Sequence, residues 1–256
     1  VRQVYAFRGY IHLKILPGAE PAQIERAAQL ADRVSANLEA PNPARLARLS
    51  RAKVFDTQLL AALRTASRAR RQSGGRLAPA GVTTQFVVGA CDESDREILD
   101  AASRLYGDLG LARAYYSAFR PIADTPLEGR APTPALRQRR LYQSDFLLRR
   151  YGYAFDELVF DEEGNLPAGR DPKQAWADRH PDLFPLEVNM AGREQLLRVP
   201  GIGPVIVLYL REHVGHFRIH VARTGPRSVL AADGLTAFCQ TRGATRSIGM
   251  PRATIT

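Results

Sequence analysis

The sequence predicts an α/β fold in which short strands alternate with helices, followed by a smaller helical domain. Three observations lead to this prediction: four short runs suited to strands, apolar residues at helical spacing between those runs, and a group of prolines after residue 120, where the character of the chain changes. Strands that are separated by helices form βα units, and their strands lie parallel. With 256 residues, of which 45% are hydrophobic, the chain can bury one large core or two smaller ones.

The four predicted strands and the helices between them occupy the first half of the chain. Residues 5–16 predict a strand that ends at the Pro17-Gly18 turn, and the apolar residues of 21–34 recur at helical spacing. An arginine-rich helix is predicted up to about residue 71, and another helix over residues 92–106. The remaining predicted strands are residues 34–39, 83–89 and 113–119.

Each of the clearest strands has one apolar face and one polar face. Parallel strands that are covered by helices on both faces are apolar nearly throughout, so a polar face needs another explanation. The polar side chains of these strands are His12, Lys14, Ser35, Asn37, Glu39 and Gln85. The pattern fits a partial (half) TIM-like βα barrel, whose lumen takes the polar face and whose ligands bind near the carboxyl ends of the strands. The alternative is an open sheet with one solvated face.

A domain boundary is expected at residues 121–135, where prolines mark a loop. Beyond it, residues 134–151 and 171–176 predict helices, the second with Asp171 as its cap and Pro172 in its first turn. The predicted domains are the α/β part over 1–125, a small all-α domain over 126–217, and a tail over 218–256. The tail has little periodicity, so we expect it to be poorly ordered and assign it no role.

The most specific motif in the sequence lies in residues 189–217. Asn189 is suited to cap a first helix, which Pro200-Gly201 ends, and Gly203-Pro204 begins a second helix. The core face of the first helix consists of Leu196, Leu197 and Val199. Glycines on both sides of Ile202 allow a tight turn and a close approach to a ligand, and we expect Ile202 to fill the space between the helices.

This motif resembles the helix-hairpin-helix family, whose signature is similar to Leu-x-x-Leu-Pro-Gly-Ile-Gly-Pro. The resemblance implies binding to the backbone of DNA or RNA without sequence readout, through amides at the N-terminus of the second helix. The implied nucleic-acid-binding residues are Val199, Gly201, Ile202, Gly203 and Val205, with Arg198 and Arg211 as additional cations. Val205 departs from the family, which often has Lys, Arg or Ser there, so a side-chain contact to phosphate is lost. The alternative is an αα turn that serves only packing.

Several segments in a fixed order carry a wider resemblance over residues 5–217. They are residues 9–19, 33–39, 83–90, 115–119, 140–145, 171–176 and 184–189, followed by the hairpin motif. Together they resemble a radical S-adenosylmethionine family whose members are associated with DNA modification or repair. The resemblance implies that the α/β part is the C-terminal portion of a βα barrel.

The family's chemistry requires a [4Fe-4S] cluster held by a Cys-x3-Cys-x2-Cys motif, with S-adenosylmethionine bound to the open iron. The motif is missing here, and the two cysteines, Cys91 and Cys239, are far apart in the sequence. Since the chain begins at Val1, we expect it to be a fragment of a longer parent that supplies the cluster, while the catalytic residues stay unknown. The resemblance also implies that the S-adenosylmethionine side of the barrel is lined by Lys14, Asn37, Glu39 and Gln85.

The net charge of +10 and the isoelectric point near 10.1 favour a polyanionic partner such as DNA or RNA. Only Lys14, Lys53 and Lys173 are lysines among 36 basic residues, so the arginine content also reflects composition in general.

The arginine-rich stretch from Arg45 to Arg71 is interpreted as the solvated face of a helix, or alternatively as a second surface for DNA. The sequence has no run of about twenty apolar residues, no leader, and no disulfide or metal-ligand spacing of cysteines, which favours a cytoplasmic protein without membrane contact.

Three functions are compatible with this sequence. In the first, the chain is a fragment of a radical S-adenosylmethionine enzyme, and the hairpin delivers nucleic acid to it. In the second, the chain is a stand-alone DNA- or RNA-binding module without catalysis. In the third, the hairpin is a contact between proteins or domains.

Overall fold

The computed structural model describes residues 1–184, 186–187, 190–212, 219–224, 227–232 and 235–237. The chain is α/β, as predicted, and it separates into two compact units. The first unit contains Val1–Asp145 and Phe160–Ala168, and the second contains Phe146–Val159 and Gly169–Thr256. None of the helices in the described ranges has both the length and the apolarity needed to cross a membrane.

The first unit is built on a four-stranded parallel sheet in the order β1-β2-β3-β4. Its strands are β1 (His12–Lys14), β2 (Arg33–Ser35), β3 (Val82–Val88) and β4 (Arg113–Ala118). Lys14 lies beside Ser35, Ser35 beside Thr83, and Thr83 beside Arg113. Residues that are paired across neighbouring strands point to the same face, so these four side chains share one face of the sheet.

The first two strands are shorter than the sequence pattern predicted. Of the predicted strand 5–16, only His12–Lys14 is extended and paired, and its three residues are exposed because β1 pairs with β2 alone among the strands described. The second strand ends at Ser35 and not at Glu39. Glu39 has a φ of 65°, in the left-handed region, which interrupts extended backbone and leaves a single bridge to Phe86.

The helices of the first part of the chain are α1 (Pro21–Leu30), α2 (Pro43–Leu49), α3 (Ala61–Gln72), α4 (Asp95–Leu109) and α5 (Ala135–Arg150), and a π-helical turn over Phe55–Leu60 leads into α3. A capping box fixes the start of α4. The Ser94 hydroxyl accepts a hydrogen bond from the Glu97 N–H at 3.2 Å, and the Glu97 carboxylate accepts from the Ser94 N–H at 2.8 Å. Gly110, in the left-handed conformation, ends this helix.

Helices α1, α3 and α4 pack together, and α1 and α3 lie against one face of the sheet. The side chains of Val34, Phe86 and Tyr116 are fully buried on that face, and the rings of Phe86 and Tyr116 stack with centroids 6.3 Å apart. Burying a side chain of this size contributes roughly 1.5–3 kcal/mol to stability. The predicted apolar face of the second strand is confirmed, since Ala36 and Leu38 are buried with Val34.

The loop that follows β3 is organised around two buried carboxylates. Glu93 accepts a hydrogen bond from the N–H of Cys91 at 3.1 Å, and Asp95 accepts one from the N–H of Leu166 at 2.9 Å. Arg137 of α5 donates to Asp95 Oδ1 and to the carbonyl oxygen of Glu93, both at 2.7 Å. The guanidinium therefore compensates charge that this loop keeps away from water.

The second unit contains α6 (Pro172–Arg179), α7 (Arg193–Arg198) and α8 (Pro204–Glu212). Its core is an apolar cluster formed by Leu196, Leu197, Val199, Ile202, Val207 and Leu210. Tyr151, Phe184 and Leu186 pack against this cluster. The predicted core face of the first hairpin helix is therefore confirmed.

The prediction of an all-α second domain is wrong, because an antiparallel sheet is present. Its strands, in order, are β5 (Leu186–Glu187), β6 (Ile219–Thr224), β7 (Arg227–Ala232) and β8 (Leu235–Ala237). Three of these strands lie in the segment 218–256, for which no element was predicted. The missed signals in the sequence are the turn-type pairs Gly225-Pro226 and Asp233-Gly234 between the strands. The rest of that segment lies outside the described residues.

Candidate functional site

The first candidate site is the turn between α7 and α8. Gly201 is exposed and has a φ of 85°, a conformation that glycine adopts without steric cost. Ile202 points the other way and is only 2% exposed, packed in the cluster between the two helices as the sequence predicted. The turn therefore exposes the backbone of Gly201 to solvent, while the side chain of Ile202 anchors it in the apolar cluster.

The helix that enters this turn starts later than the sequence indicated. It begins at Arg193 with Gly192 as its N-cap, and the N–H of Gly192 donates to the side-chain oxygen of Gln195 at 2.8 Å. The cap predicted from the sequence, Asn189, lies outside the described residues. The Gln195 side chain therefore satisfies the N–H of the N-cap residue, while Gly192 has no side chain that could accept from the first-turn amides.

The helix that leaves the turn has an exposed N-terminus. Val205, in its first turn, is 81% exposed, and Pro204 and Ile206 beside it are exposed as well. Amides in the first turn of a helix have no acceptor within the helix, and the helix dipole places partial positive charge there. This end of α8 can therefore accept an anion.

Lys173 of α6 holds the inner side of the turn. Its Nζ donates to the carbonyl oxygen of Ile202 at 2.5 Å and lies 4.7 Å from the centre of the Tyr151 ring. A Cβ at Gly203 would lie 3.3 Å from the Tyr151 hydroxyl, so glycine allows this close packing. Burial lowers the pKa of Lys173 to about 7, although the nearby Asp171 carboxylate acts in the opposite direction.

Arg198 and Arg211, the two additional cations predicted for the hairpin, differ in their surroundings. Arg198 forms an ion pair with Glu157, with Nη1 to Oε1 at 2.5 Å, and its guanidinium lies 3.9 Å from the centre of the Tyr153 ring and 5.0 Å from that of Trp176. Arg211 is exposed on α8. Arg198 thus has a packing role within its unit. Arg211, in contrast, extends into solvent.

The second candidate site is a cavity of about 170 Å³ on the sheet, lined by His12, Lys14, Ser35, Asn37, Thr83, Thr84, Gln85 and Tyr115. Its volume is similar to that of engineered cavities that hold a benzene molecule. Apart from Thr84 and the two residues of the exposed strand β1, these residues alternate with buried apolar residues. We call this side of the sheet, together with Arg33 and Arg113, the polar face.

The structure brings three of the four predicted cofactor-side residues together at this cavity. Lys14, Asn37 and Gln85 line it, whereas Glu39 does not, because its left-handed backbone directs the side chain to Lys53, with Nζ to Oε1 at 3.1 Å. The predicted set omitted the other five residues of the lining, His12, Ser35, Thr83, Thr84 and Tyr115. The alternation in the sequence placed His12 and Ser35 on the polar face, but the resemblance that implied the cofactor side did not include them.

The polar face carries positive charge. His12 Nε2 is 2.9 Å from Ser35 Oγ, and burial together with the positive charge of Arg33 lowers the pKa of His12. Arg33 donates to the Tyr115 hydroxyl at 3.0 Å and to the Ala80 carbonyl oxygen, both of which are neutral acceptors. Within the described part of the chain, none of the residues that line the cavity is an Asp or a Glu.

Much of the arginine-rich stretch is occupied by ion pairs and hydrogen bonds. Arg45 pairs with Glu97 at 2.9 Å, and Arg48 pairs with Asp92 at 3.1 Å. Arg71 donates to the carbonyl oxygen of Asp108 at 3.0 Å. These contacts connect the stretch to α4 and to its preceding loop, which agrees better with a structural role than with a second surface for DNA.

Cys91 does not fit a role as a cluster ligand. It is fully buried, with Sγ 3.1 Å from Glu93 Oε2, and burial is the main reason that its pKa is raised to about 12. A cluster ligand must be a thiolate, and the adjacent carboxylate opposes ionisation. Cys239 lies outside the described residues, within which no three His, Cys, Asp or Glu side chains are grouped to hold a metal ion.

Comparisons with protein-family models, with curated proteins and with solved structures return no match for this chain.

Proposed function

We propose that this chain is the nucleic-acid-binding portion of a radical S-adenosylmethionine enzyme that acts in DNA modification or repair. In this proposal residues 189–217 form a helix-hairpin-helix that holds the backbone of DNA or RNA. One observation carries it: the exposed Gly201 lies next to the exposed N-terminus of α8, while Ile202 and Lys173 fix the turn from inside.

The chemistry of this turn suits a phosphate group. A glycine lets the backbone approach a phosphate closely, and the first amides of α8 supply donors that a phosphate oxygen can accept from. Such contacts involve the sugar–phosphate backbone, which is the same for every sequence. Binding should therefore weaken steeply as salt rises and differ little between two duplexes of unrelated sequence.

Val205→Lys is expected to raise the affinity for a DNA duplex about tenfold and to steepen the dependence of log K on log salt by about one unit, because a lysine at this position adds one phosphate contact. Affinities are measured for two unrelated duplexes, each at two salt concentrations. Leu208→Lys is the matched control, since Leu208 is 61% exposed one turn further along α8 and the variant adds the same charge. An equal gain from Leu208→Lys, or salt-independent binding of the unchanged protein, would contradict the proposal.

Gly201→Val tests the same contact by loss of binding. A Cβ at this position would meet no atom within 4 Å, but the φ of 85° makes a β-branched residue costly by about 1–2 kcal/mol. Gly18→Val is therefore the control, since Gly18 has a φ of 84° and equally open surroundings. Only Gly201→Val should abolish binding, and unchanged binding in a folded Gly201→Val protein would favour a protein–protein role of the hairpin.

A second part of the proposal concerns the parallel sheet, which would belong to a half TIM-like barrel with the polar face in its lumen. It is supported by the grouping of Lys14, Asn37 and Gln85 around one cavity. S-adenosylmethionine, when bound, supplies radical chemistry, and in this chain these three side chains would hold and orient it. Since Cys91 does not fit the cluster, its ligands would come from other residues of the parent protein.

The complete gene product, reconstituted with iron and sulfide, is the protein in which to test this part. We expect iron–sulfur absorbance and reductive cleavage of S-adenosylmethionine. A complete protein that shows no such absorbance would rule out the enzyme and leave the alternative, a DNA- or RNA-binding module without catalysis.

A further inference from the structure

The polar face combines three cations that have no carboxylate partner among the described residues. Lys14 lines the cavity, and Arg33 and Arg113 flank it from the neighbouring strands. Arg33 donates to neutral oxygens, while Arg113 lies over the Tyr115 ring at 4.8 Å and has a buried Nε without a hydrogen-bond partner among the described residues. Glu39, the carboxylate that the sequence pattern placed on the same face, is paired with Lys53.

Thr83 gives a second, independent observation at the same place. Its side chain is 0% exposed and lines the cavity, and its hydroxyl has no hydrogen-bond partner in the part of the chain that the structure describes. A buried hydroxyl without a partner is unfavourable, so such a group at a cavity wall indicates a ligand that accepts a hydrogen bond from it. Ser35 and Gln85 add further polar groups on the same wall.

Charge and size together restrict the class of ligand. Cations without carboxylate partners, next to hydroxyl and amide groups, favour an oxyanion, and a group with two negative charges gains more from them than one with a single charge. The volume of about 170 Å³ accommodates a small charged group together with a few further atoms.

We propose that the polar face binds the phosphate group of a small phosphorylated molecule, with Lys14 and Thr83 in direct contact with the phosphate oxygens. This inference does not depend on the hairpin, but it concerns the same cavity that the second part of the proposed function gives to S-adenosylmethionine, so the two ligands would compete for it. His12 faces the same site, and a bound phosphate would oppose the effect of Arg33 and raise the pKa of His12.

The test uses the full chain, with pyrophosphate and a nucleoside 5′-monophosphate as probes and calorimetry and NMR as measurements. We expect saturable binding of both probes and an upward shift of the His12 ring titration, assigned with a His12→Gln variant. S-adenosylmethionine, whose anionic group is a carboxylate, is the comparison ligand. Binding of S-adenosylmethionine without binding of either phosphate probe would overturn the inference, as would the absence of any binding.

Two variants and one control separate a ligand contact from a structural role. Lys14→Gln and Thr83→Val should each weaken binding of pyrophosphate at least about tenfold. Thr83→Val should leave thermal stability unchanged or raise it, since it removes a buried hydroxyl without a partner. Arg64→Gln removes one charge from an exposed position on α3 and should bind normally. Equal weakening by Arg64→Gln would mean that only the general charge of the protein attracts the probe, and the site would be refuted.

Discussion

Arg137→Ala is expected to lower the free energy of unfolding of the protein by about 3–5 kcal/mol, because it leaves charge buried without compensation. The side chains of Asp95 and Glu93 are 2% and 0% exposed, and the guanidinium of Arg137 lies 2.7 Å from Asp95 Oδ1 and 3.7 Å from Glu93 Oε1. Arg137 itself keeps 24% of its side chain exposed, so water can partly replace it and the lower part of the range is expected.

Urea denaturation at neutral pH measures this loss, and Arg139→Ala is its control. Arg139 is exposed on the same helix, so its removal should change stability by no more than about 0.5 kcal/mol. If Arg137→Ala lowered the free energy of unfolding no more than Arg139→Ala does, the two buried carboxylates would not need the guanidinium for charge compensation.

Lys173→Met is expected to change how stability depends on pH. The pKa of Lys173 is lowered to about 7 in the folded protein from 10.5 in an unfolded chain, mainly by burial. Between pH 7 and pH 10.5 the unfolded chain holds a proton that the folded protein has released, so stability increases as the pH rises through this window. Below pH 7 both states hold the proton, and the full cost of burying the cation is present.

From this shift, the unchanged protein should gain about 2 kcal/mol relative to Lys173→Met between pH 7 and pH 9. Denaturation curves of both proteins at the two pH values give this difference, in which the other titrating groups cancel. Gln174→Met is the control, since Gln174 is buried next to Lys173 and has no titrating group in this range. A difference between Lys173→Met and the unchanged protein that stays constant from pH 7 to pH 9 would show that Lys173 is not held in a desolvated position.

The sequence predicted the part of the fold in which local and long-range signals agree. The alternation of Val34, Ala36 and Leu38 with polar residues identified both faces of the sheet, because period two is a direct consequence of strand geometry. The Pro-Gly-Ile-Gly-Pro run around Ile202 predicted the turn of the hairpin equally well, since each of its residues has a strong conformational preference.

The remaining features depend on contacts that the sequence does not encode locally. Glu39 does not line the cavity because its backbone is in the left-handed region, a conformation that is uncommon for glutamate and that the sequence does not indicate. Lys173 was not anticipated as a support of the hairpin, since the two are distant in sequence and a lysine is rarely buried. Thr83 is one of two adjacent threonines in β3, and its hydroxyl is notable only once its neighbours in space are known.

The short strand at the edge of the parallel sheet has a practical consequence. Among the described strands, β1 pairs on one side only, so the backbone N–H and C=O groups on its other side are open to a strand from another molecule. All three of its residues are exposed, and no bulge or proline interrupts them. The length of only three residues and the charge of Lys14 limit such pairing. Gel filtration before each binding measurement shows whether any self-association remains, so that monomers are compared with monomers.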